Sequence, residues 1–128
     1  MDKRVQERKV IHMGWMPIEI TEITSCLSKA HNWKTLGNDQ IQNYWLKAFL
    51  VIHRHIRKNF NSIVEEPEKA PAWLIAGINY LILKSGDSKE VRNYRPTTCL
   101  TKMYKTLTGI IAKRISTYLE EQRLLPAE

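Results

Sequence analysis

Seven apolar residues, Ile41, Trp45, Phe49, Ile52, Ile56, Phe60 and Ile63, recur in unbroken steps of three or four. Steps of that size fall on one side of an α-helix, so the spacing predicts a long helix, or two in line, over residues 40–64 with this stripe buried. A chain committed to such an element needs other apolar faces to cover it, and two are present. Ile20, Ile23, Leu27 and Ala30 predict a short helix over 22–31 with Thr21 as its N-cap. Leu100, Met103, Tyr104, Leu107, Ile111, Ile115, Tyr118 and Leu119 predict a second long amphipathic helix that ends near Leu125-Pro126.

Between the helices the period changes. Residues 32–39, Asn-Trp-Lys-Thr-Leu-Gly-Asn-Asp, have turn chemistry and predict a loop. Glu65-Glu66-Pro67 ends the long helix, and Pro67 and Pro71 bracket a turn. Residues 72–83 read as a strand apolar on both faces, which predicts that both are covered. Lys84-Ser85-Gly86-Asp87 supplies a turn, and residues 93–99 predict an antiparallel return in which Pro96 must lie at an edge or bulge. The expected class is therefore mainly α with a small β-hairpin, an α+β arrangement. Residues 1–17 are polar and weakly patterned and read as a leader; residues 18–128 carry the folded segment.

The bulk numbers fit one domain. A chain of 128 residues, 43% hydrophobic and 26% charged, buries roughly two thirds of its unfolded surface and is not compositionally disordered. The longest apolar run, residues 73–83, is interrupted by Gly77 and Asn79 and is too short to span a membrane. The first nine residues are charged with no apolar stretch behind them, unlike a secretory signal, so an intracellular setting is expected, nuclear or cytoplasmic. Cys26 and Cys99 stand far apart without ligand neighbours, which predicts two half-buried thiols and neither a zinc site nor a disulfide framework. The net charge of +7 favours polyanions as partners.

Candidate chemistry is sparse. Nucleotidyl transfer needs carboxylates that hold two divalent cations about 4 Å apart, and the three aspartates, Asp2, Asp39 and Asp87, are scattered. Glu65-Glu66 and Glu120-Glu121 lie at helix ends, so no metal ligand and no general base is assigned. Lys84 and Arg95 flank the hairpin turn. They fit two cations closing over a triphosphate; spacing alone better fits a lysine protecting a sheet edge and an arginine paired with Asp87 or Glu90. Residues 40–64 contain no acid while Lys47, Arg54, Arg57 and Lys58 add charge, and Lys102, Lys105, Lys113 and Arg114 form a second basic group. Either could track a phosphate backbone, with Tyr44, Trp45, Tyr94 or Tyr104 available for stacking, or be a solvated face over ordinary core aromatics. His53 and His55, two apart on a helix, point in different directions and make no metal pair.

The ordered series from Leu81 to Lys105, Leu-Ile-Leu-Lys-Ser-Gly-Asp followed by Asn-Tyr-Arg-Pro-Thr-Thr-Cys-Leu-Thr-Lys-Met-Tyr-Lys, resembles the fingers region of non-LTR (LINE-type) retrotransposon reverse transcriptases. Residues 32–41 look like the Asn-Trp-Lys-Ala-Pro-Gly-Pro-Asp-Gly-Ile loop of that family, with Leu36 and Asn38 replacing prolines and Gln40 replacing a glycine. Those changes remove preset backbone angles and easy access to positive φ, so the loop is expected to relax. Ile82-Leu83-Lys84 stands for the family's Ile-Pro-Lys and Arg95-Pro96-Thr97 for its Arg-Pro-Ile, and residues 104–115 match the helix after the fingers.

The resemblance, which covers residues 18–128, implies a partial fingers subdomain of a right-hand polymerase fold. It implies that Lys84 and Arg95 contact the phosphates of an incoming nucleotide. The parent family carries out RNA-directed DNA synthesis with magnesium. This chain ends at Glu128 before a palm motif and shows no upstream endonuclease, so it is expected to need no cofactor and to be inactive alone, with the missing palm region as a partner if a longer product exists. Two other readings stand beside it. One is a small basic module that binds RNA or single-stranded nucleic acid through the two basic helices. The other is an interaction fragment whose exposed apolar faces seek a partner.

Overall fold

A computed structural model describes residues 14–124. The elements in chain order are α1 (Ile20–Lys29), α2 (Asn43–Ala48), α3 (Ile52–Glu65), α4 (Ala72–Ile75), β1 (Gly77–Leu83), β2 (Tyr94–Leu100) and α5 (Lys102–Glu121). The mainly helical α+β expectation holds. Most of the leader lies outside the described residues, and the last helix ends at Glu121, about four residues before the expected stop near Leu125-Pro126.

One core joins the helices. Ile18, Ile23, Leu27, Leu46, Ile56, Phe60, Leu107 and Ile110 form a single buried cluster drawn from the segment before α1 and from α1, α2, α3 and α5, with α1 packed against the other three helices. The segment before α1 is fastened to α3 through backbone. Asn61 accepts from the Ile18 N–H at 2.7 Å and donates to the Ile18 carbonyl at 3.1 Å, and Arg57 Nε donates to the same carbonyl at 3.2 Å. Helix α1 begins two residues before the sequence suggests, because Glu19 rather than Thr21 caps it. The Glu22 carboxylate reaches back to the Glu19 N–H at 2.9 Å, satisfying one of the donors a helix start leaves open.

The long helix over 40–64 is broken. Phe49 leaves helical geometry, with ψ of 76°, and residues 49–51 separate α2 from α3. The cause is a side chain. His53 Nε2 donates to the Leu46 carbonyl at 2.7 Å, taking the acceptor that a continuous helix would give to residue 50, and its Nδ1 meets the Thr24 hydroxyl at 3.2 Å. The break resets the stripe. Leu46, His53, Ile56 and Phe60 face inward, whereas Trp45 and Phe49, expected in the core, are about half exposed.

The strand is also shorter and barer than expected. Residues 72–75 form one helical turn after Pro71, with Leu74 buried, and only Gly77–Leu83 is strand. It pairs antiparallel with β2 in an isolated two-stranded ribbon, register Gly77↔Leu100 through Leu83↔Tyr94. Pro96 sits opposite Leu81, at an edge as a residue without an N–H requires. Both ribbon faces remain open: Tyr80, Leu81, Ile82 and Leu83 keep 41%, 66%, 46% and 42% of their surface. The predicted coverage is therefore absent in the described residues.

Thr101 joins ribbon to helix. Its buried hydroxyl donates to the Leu74 carbonyl at 2.9 Å and accepts the Tyr104 N–H at 3.2 Å, so it caps α5 while holding α4. Leu100, assigned by its period to the last helix, ends β2 instead. Ile115, expected on the buried face of α5, is 45% exposed because the core ends at Ile110 and Ile111. The helix stops with Arg123 at φ 51°, its N–H on the Glu120 carbonyl and the Leu124 N–H on the Leu119 carbonyl, a Schellman closure.

Candidate nucleotide and nucleic-acid surfaces

The hairpin turn is rigidly built. Gly86 takes φ 84°, a left-handed angle that suits glycine. Asp87 Oδ1 accepts the Lys89 N–H at 3.0 Å, and the Asp87 carbonyl accepts Asn93 Nδ2 at 2.9 Å. Tyr94 Oη donates to the Ser88 carbonyl at 2.9 Å. Tyr94, a candidate for stacking, is thus a strut of the turn, as is Asn93 beside it.

This turn fixes the two cations that flank it. The Lys84 N–H donates to the Asn93 carbonyl at 2.8 Å, continuing the ladder one step past the strand, while Arg95 pairs with Ile82. Residues two apart share a face and directly paired residues share a face. Lys84 and Arg95 therefore project from the same side of the ribbon as diagonal neighbours. Both are exposed, and neither side chain makes a hydrogen bond or ion pair among the described residues. The alternative pairing of Arg95 with Asp87 or Glu90 is not made; Glu90 holds Arg92 at 3.1 Å.

The two basic groups divide between scaffold and surface. Lys47 Nζ donates to the Ala30 carbonyl and to Asn32 Oδ1, the latter at 2.7 Å. Lys102, only 3% exposed, donates to the Thr35 carbonyl at 2.9 Å; burial first, then neighbouring Lys105, holds its pKa below the usual lysine value. Arg114 is bound to Glu22 at 2.7 Å, donates to the carbonyls of Met16 and Pro17, and lies 4.7 Å over the Trp15 ring. With Arg57 on Ile18, these are cations that satisfy backbone carbonyls. Arg54, Lys58, Lys105 and Lys113 are exposed and unpaired among the described residues. Arg54 and Lys58, four apart, share one outer face of α3.

Lys47 and Lys102 meet on one structure, the loop over 32–40. They anchor it at Asn32 and Thr35, on either side of Trp33-Lys34. Gly37 is buried so tightly against Leu100 and Thr101 that a Cβ there would lie 2.7 Å from the Leu100 carbonyl oxygen. Gln40 takes φ 55°, a left-handed angle that glycine adopts freely and that costs a residue with a side chain.

Beside this loop lies an array of rings. Trp33 stacks on Tyr44 with centroids 5.3 Å apart, Tyr44 meets Trp45 edge to face at 5.2 Å, and Trp45 stacks on Phe49 at 5.7 Å. All four stay exposed, at 68%, 41%, 49% and 53% in chain order. The sequence named Tyr44 and Trp45 as stacking candidates but assigned Phe49 to the core and passed over Trp33. The available signal was a tryptophan next to a lysine in a loop without apolar neighbours. Tyr104 is half-buried at the start of α5.

Other chemistry is muted. No group of three His, Cys, Asp or Glu side chains is placed to hold a metal among the described residues. His53 is engaged at both ring nitrogens and His55 is exposed. Burial pushes the Cys26 thiol up despite Lys113 and Lys29 nearby, as expected of a packing residue. No described helix is long and apolar enough to cross a membrane.

No protein-family model matches the chain. It is 30% identical over 112 residues to the probable RNA-directed DNA polymerase from transposon BS, and 32% identical over 112 residues to that from transposon X-element, both of Drosophila melanogaster. Each match covers 86% of this chain and 12% of the relative, so the chain spans about an eighth of the length of these relatives.

Proposed function

We propose, from the premise that this chain is a fragment related to the reverse transcriptases of non-LTR retrotransposons, that residues 18–128 act as a fingers-type segment whose β1–β2 ribbon grips a nucleoside triphosphate. The observation that carries the reading is the placement of Lys84 and Arg95 on one face of a ribbon, unpaired, beside a turn fastened by its own side chains. Two cations at diagonal ladder positions can each donate a charge-assisted hydrogen bond to a polyphosphate. A rigid turn keeps that grip from costing much order on binding.

The segment holds nucleotide and does not join it. Activating a primer hydroxyl and stabilising the pyrophosphate that leaves requires metal-holding carboxylates, and the aspartates here are not paired. In this reading the magnesium chemistry is supplied by a palm region outside these 128 residues. Titration with dTTP tests the grip. Lys84→Ala and Arg95→Ala should each weaken binding about tenfold or more, the range of a lost charged hydrogen bond. Binding that the double variant leaves unchanged would refute the clamp, and magnesium-dependent primer extension by the chain alone would refute its inactivity.

A second reading is supported by Arg54, Lys58, Lys105 and Lys113, which face solvent without partners. Single-stranded nucleic acid held by these four would show an affinity whose logarithm falls against log salt with a slope of about −3. All eight cations named from sequence would give a slope of about −6.

A further inference from the structure

The ring array on α2 and the preceding loop is not consumed by the core. Four large aromatics in a chain of ring contacts, each retaining 41–68% of its surface, form an exposed apolar patch of the kind that marks an interaction site. Two further exposed apolar residues, Leu50 at 64% and Val51 at 79%, continue it toward α3.

The surrounding charge narrows what covers it. No aspartate or glutamate occurs from residue 40 to residue 64. Lys34 adjoins Trp33, and Arg54 and Lys58 follow Val51 by three and seven residues, both exposed on α3. A ligand matched to this surface carries flat π-systems and repeated negative charge together, which is the chemistry of single-stranded nucleic acid. The rings are also held in advance of any ligand. Lys47 and Lys102 pin the loop on both sides of Trp33, and Lys47 does so from the same helix that carries Tyr44 and Trp45.

We propose that Trp33, Tyr44, Trp45 and Phe49 are a base-stacking platform for single-stranded RNA or DNA, with Arg54, Lys58 and Lys34 contacting its phosphates. The platform deepens the nucleic-acid reading above and rests on it. It is independent of the Lys84–Arg95 grip. Because stacking reads ring faces and not base edges, binding should tolerate any sequence and should discriminate against duplex, whose bases are already stacked on one another.

The test is fluorescence anisotropy on the full chain with a labelled oligothymidylate of about twelve nucleotides, within the usual site size of such surfaces. Trp33→Ala and Trp45→Ala should each weaken binding about tenfold with little change in the salt slope. Arg54→Gln and Lys58→Gln should each reduce that slope by about 0.7. The rings are exposed, so these variants should melt like the parent chain, and Lys84→Ala with Arg95→Ala should bind the oligonucleotide normally. Loss on charge removal without loss on ring removal would overturn the platform and leave the electrostatic reading standing. No binding at low salt would overturn both. Self-association that Trp45→Ala abolishes, with no oligonucleotide affinity, would assign the patch to a second copy of the chain instead.

Discussion

The helical body and the β1–β2 ribbon are similarly apolar in sequence, and the fold treats them in opposite ways. In the body, Ile18, Ile23, Leu27 and Phe60 keep 2% of their surface or less; in the ribbon, Leu81 keeps 66% and Ile82 46%. The body is covered because four helices contribute residues to one cluster. The ribbon has only two strands, and nothing among the described residues packs over Leu81–Leu83. A lone hairpin is at best marginally stable in water. This one is braced at its turn by Asn93, Tyr94 and Asp87 and at its base by Thr101. Apolar content therefore marks surface that wants cover, and only the topology says where cover is found.

The sharpest way to break this contrast is a pair of substitutions. Phe60→Ala empties the centre of the cluster and should cost about 3–5 kcal/mol in urea unfolding. Leu81→Ala removes a side chain that meets mostly water and should stay within about 0.5 kcal/mol. Equal losses would mean that the ribbon is covered in solution, by a second copy or another surface, and a concentration-dependent melt of the parent chain would separate those cases.

Within the body, the tie between α1 and α5 is the next largest effect. Arg114→Ala removes the bond to Glu22 and the bonds to Met16 and Pro17, and should cost roughly 2 kcal/mol as charged hydrogen bonds are lost. The same pair sets an acid limit. The hydrogen bond from Arg114 holds the Glu22 carboxyl below its usual value, against a burial that raises it. The folded state thus binds fewer protons than the unfolded chain just below the ordinary glutamate range. The contribution of the pair is complete above that range and is lost as pH falls through the lower folded value. Glu22→Gln should flatten this acid limb in a stability profile, and an unchanged limb would place the acid sensitivity elsewhere.

Thr101 tests the joint between the two regions. Thr101→Val keeps the shape but removes both the cap of α5 and the bond to Leu74, an expected loss of about 1–2 kcal/mol. If the ribbon hangs from this joint, amide exchange in β1 and β2 should quicken more than exchange in α3. Uniform quickening would show that ribbon and body open as one unit.

How much of this was legible in the chain follows from the range of the forces involved. The helices α1 and α5 and the hairpin turn are written in local spacing, in the stripe from Leu107 to Ile111 and in Gly86-Asp87. The break at residues 49–51 is not, because it depends on His53 reaching the Leu46 carbonyl and Thr24 on another helix. The break turns the stripe, so Trp45 and Phe49, whose spacing predicts burial, lie on the surface of the fold. The candidate site divides the same way. Lys84 and Arg95 flank a turn that the sequence announces. Lys47, Arg57, Lys102 and Arg114 are spoken for by carbonyls and carboxylates 15 to 98 residues away, and no local pattern reveals that.

The smallest effect bears on the loop that connects these regions through Gly37 and Lys102. The loss of prolines and of a glycine from the family pattern suggested a loop free to relax, yet Gln40 holds φ 55° and closes a turn on the Gly37 carbonyl at 3.2 Å. Residues other than glycine pay about 1–2 kcal/mol for that angle, while glycine costs more backbone entropy in the unfolded chain. The balance predicts that Gln40→Gly raises stability by about 0.5–1 kcal/mol. It should also leave the Trp33 environment unchanged by fluorescence, since Lys47 and Lys102 position that part of the loop. A loss of stability would mean that the Gln40 amide bond to Gly37 at 3.2 Å outweighs the backbone strain. A shifted Trp33 signal would show that the turn at Gln40, and not the lysine anchors, sets the rings in place.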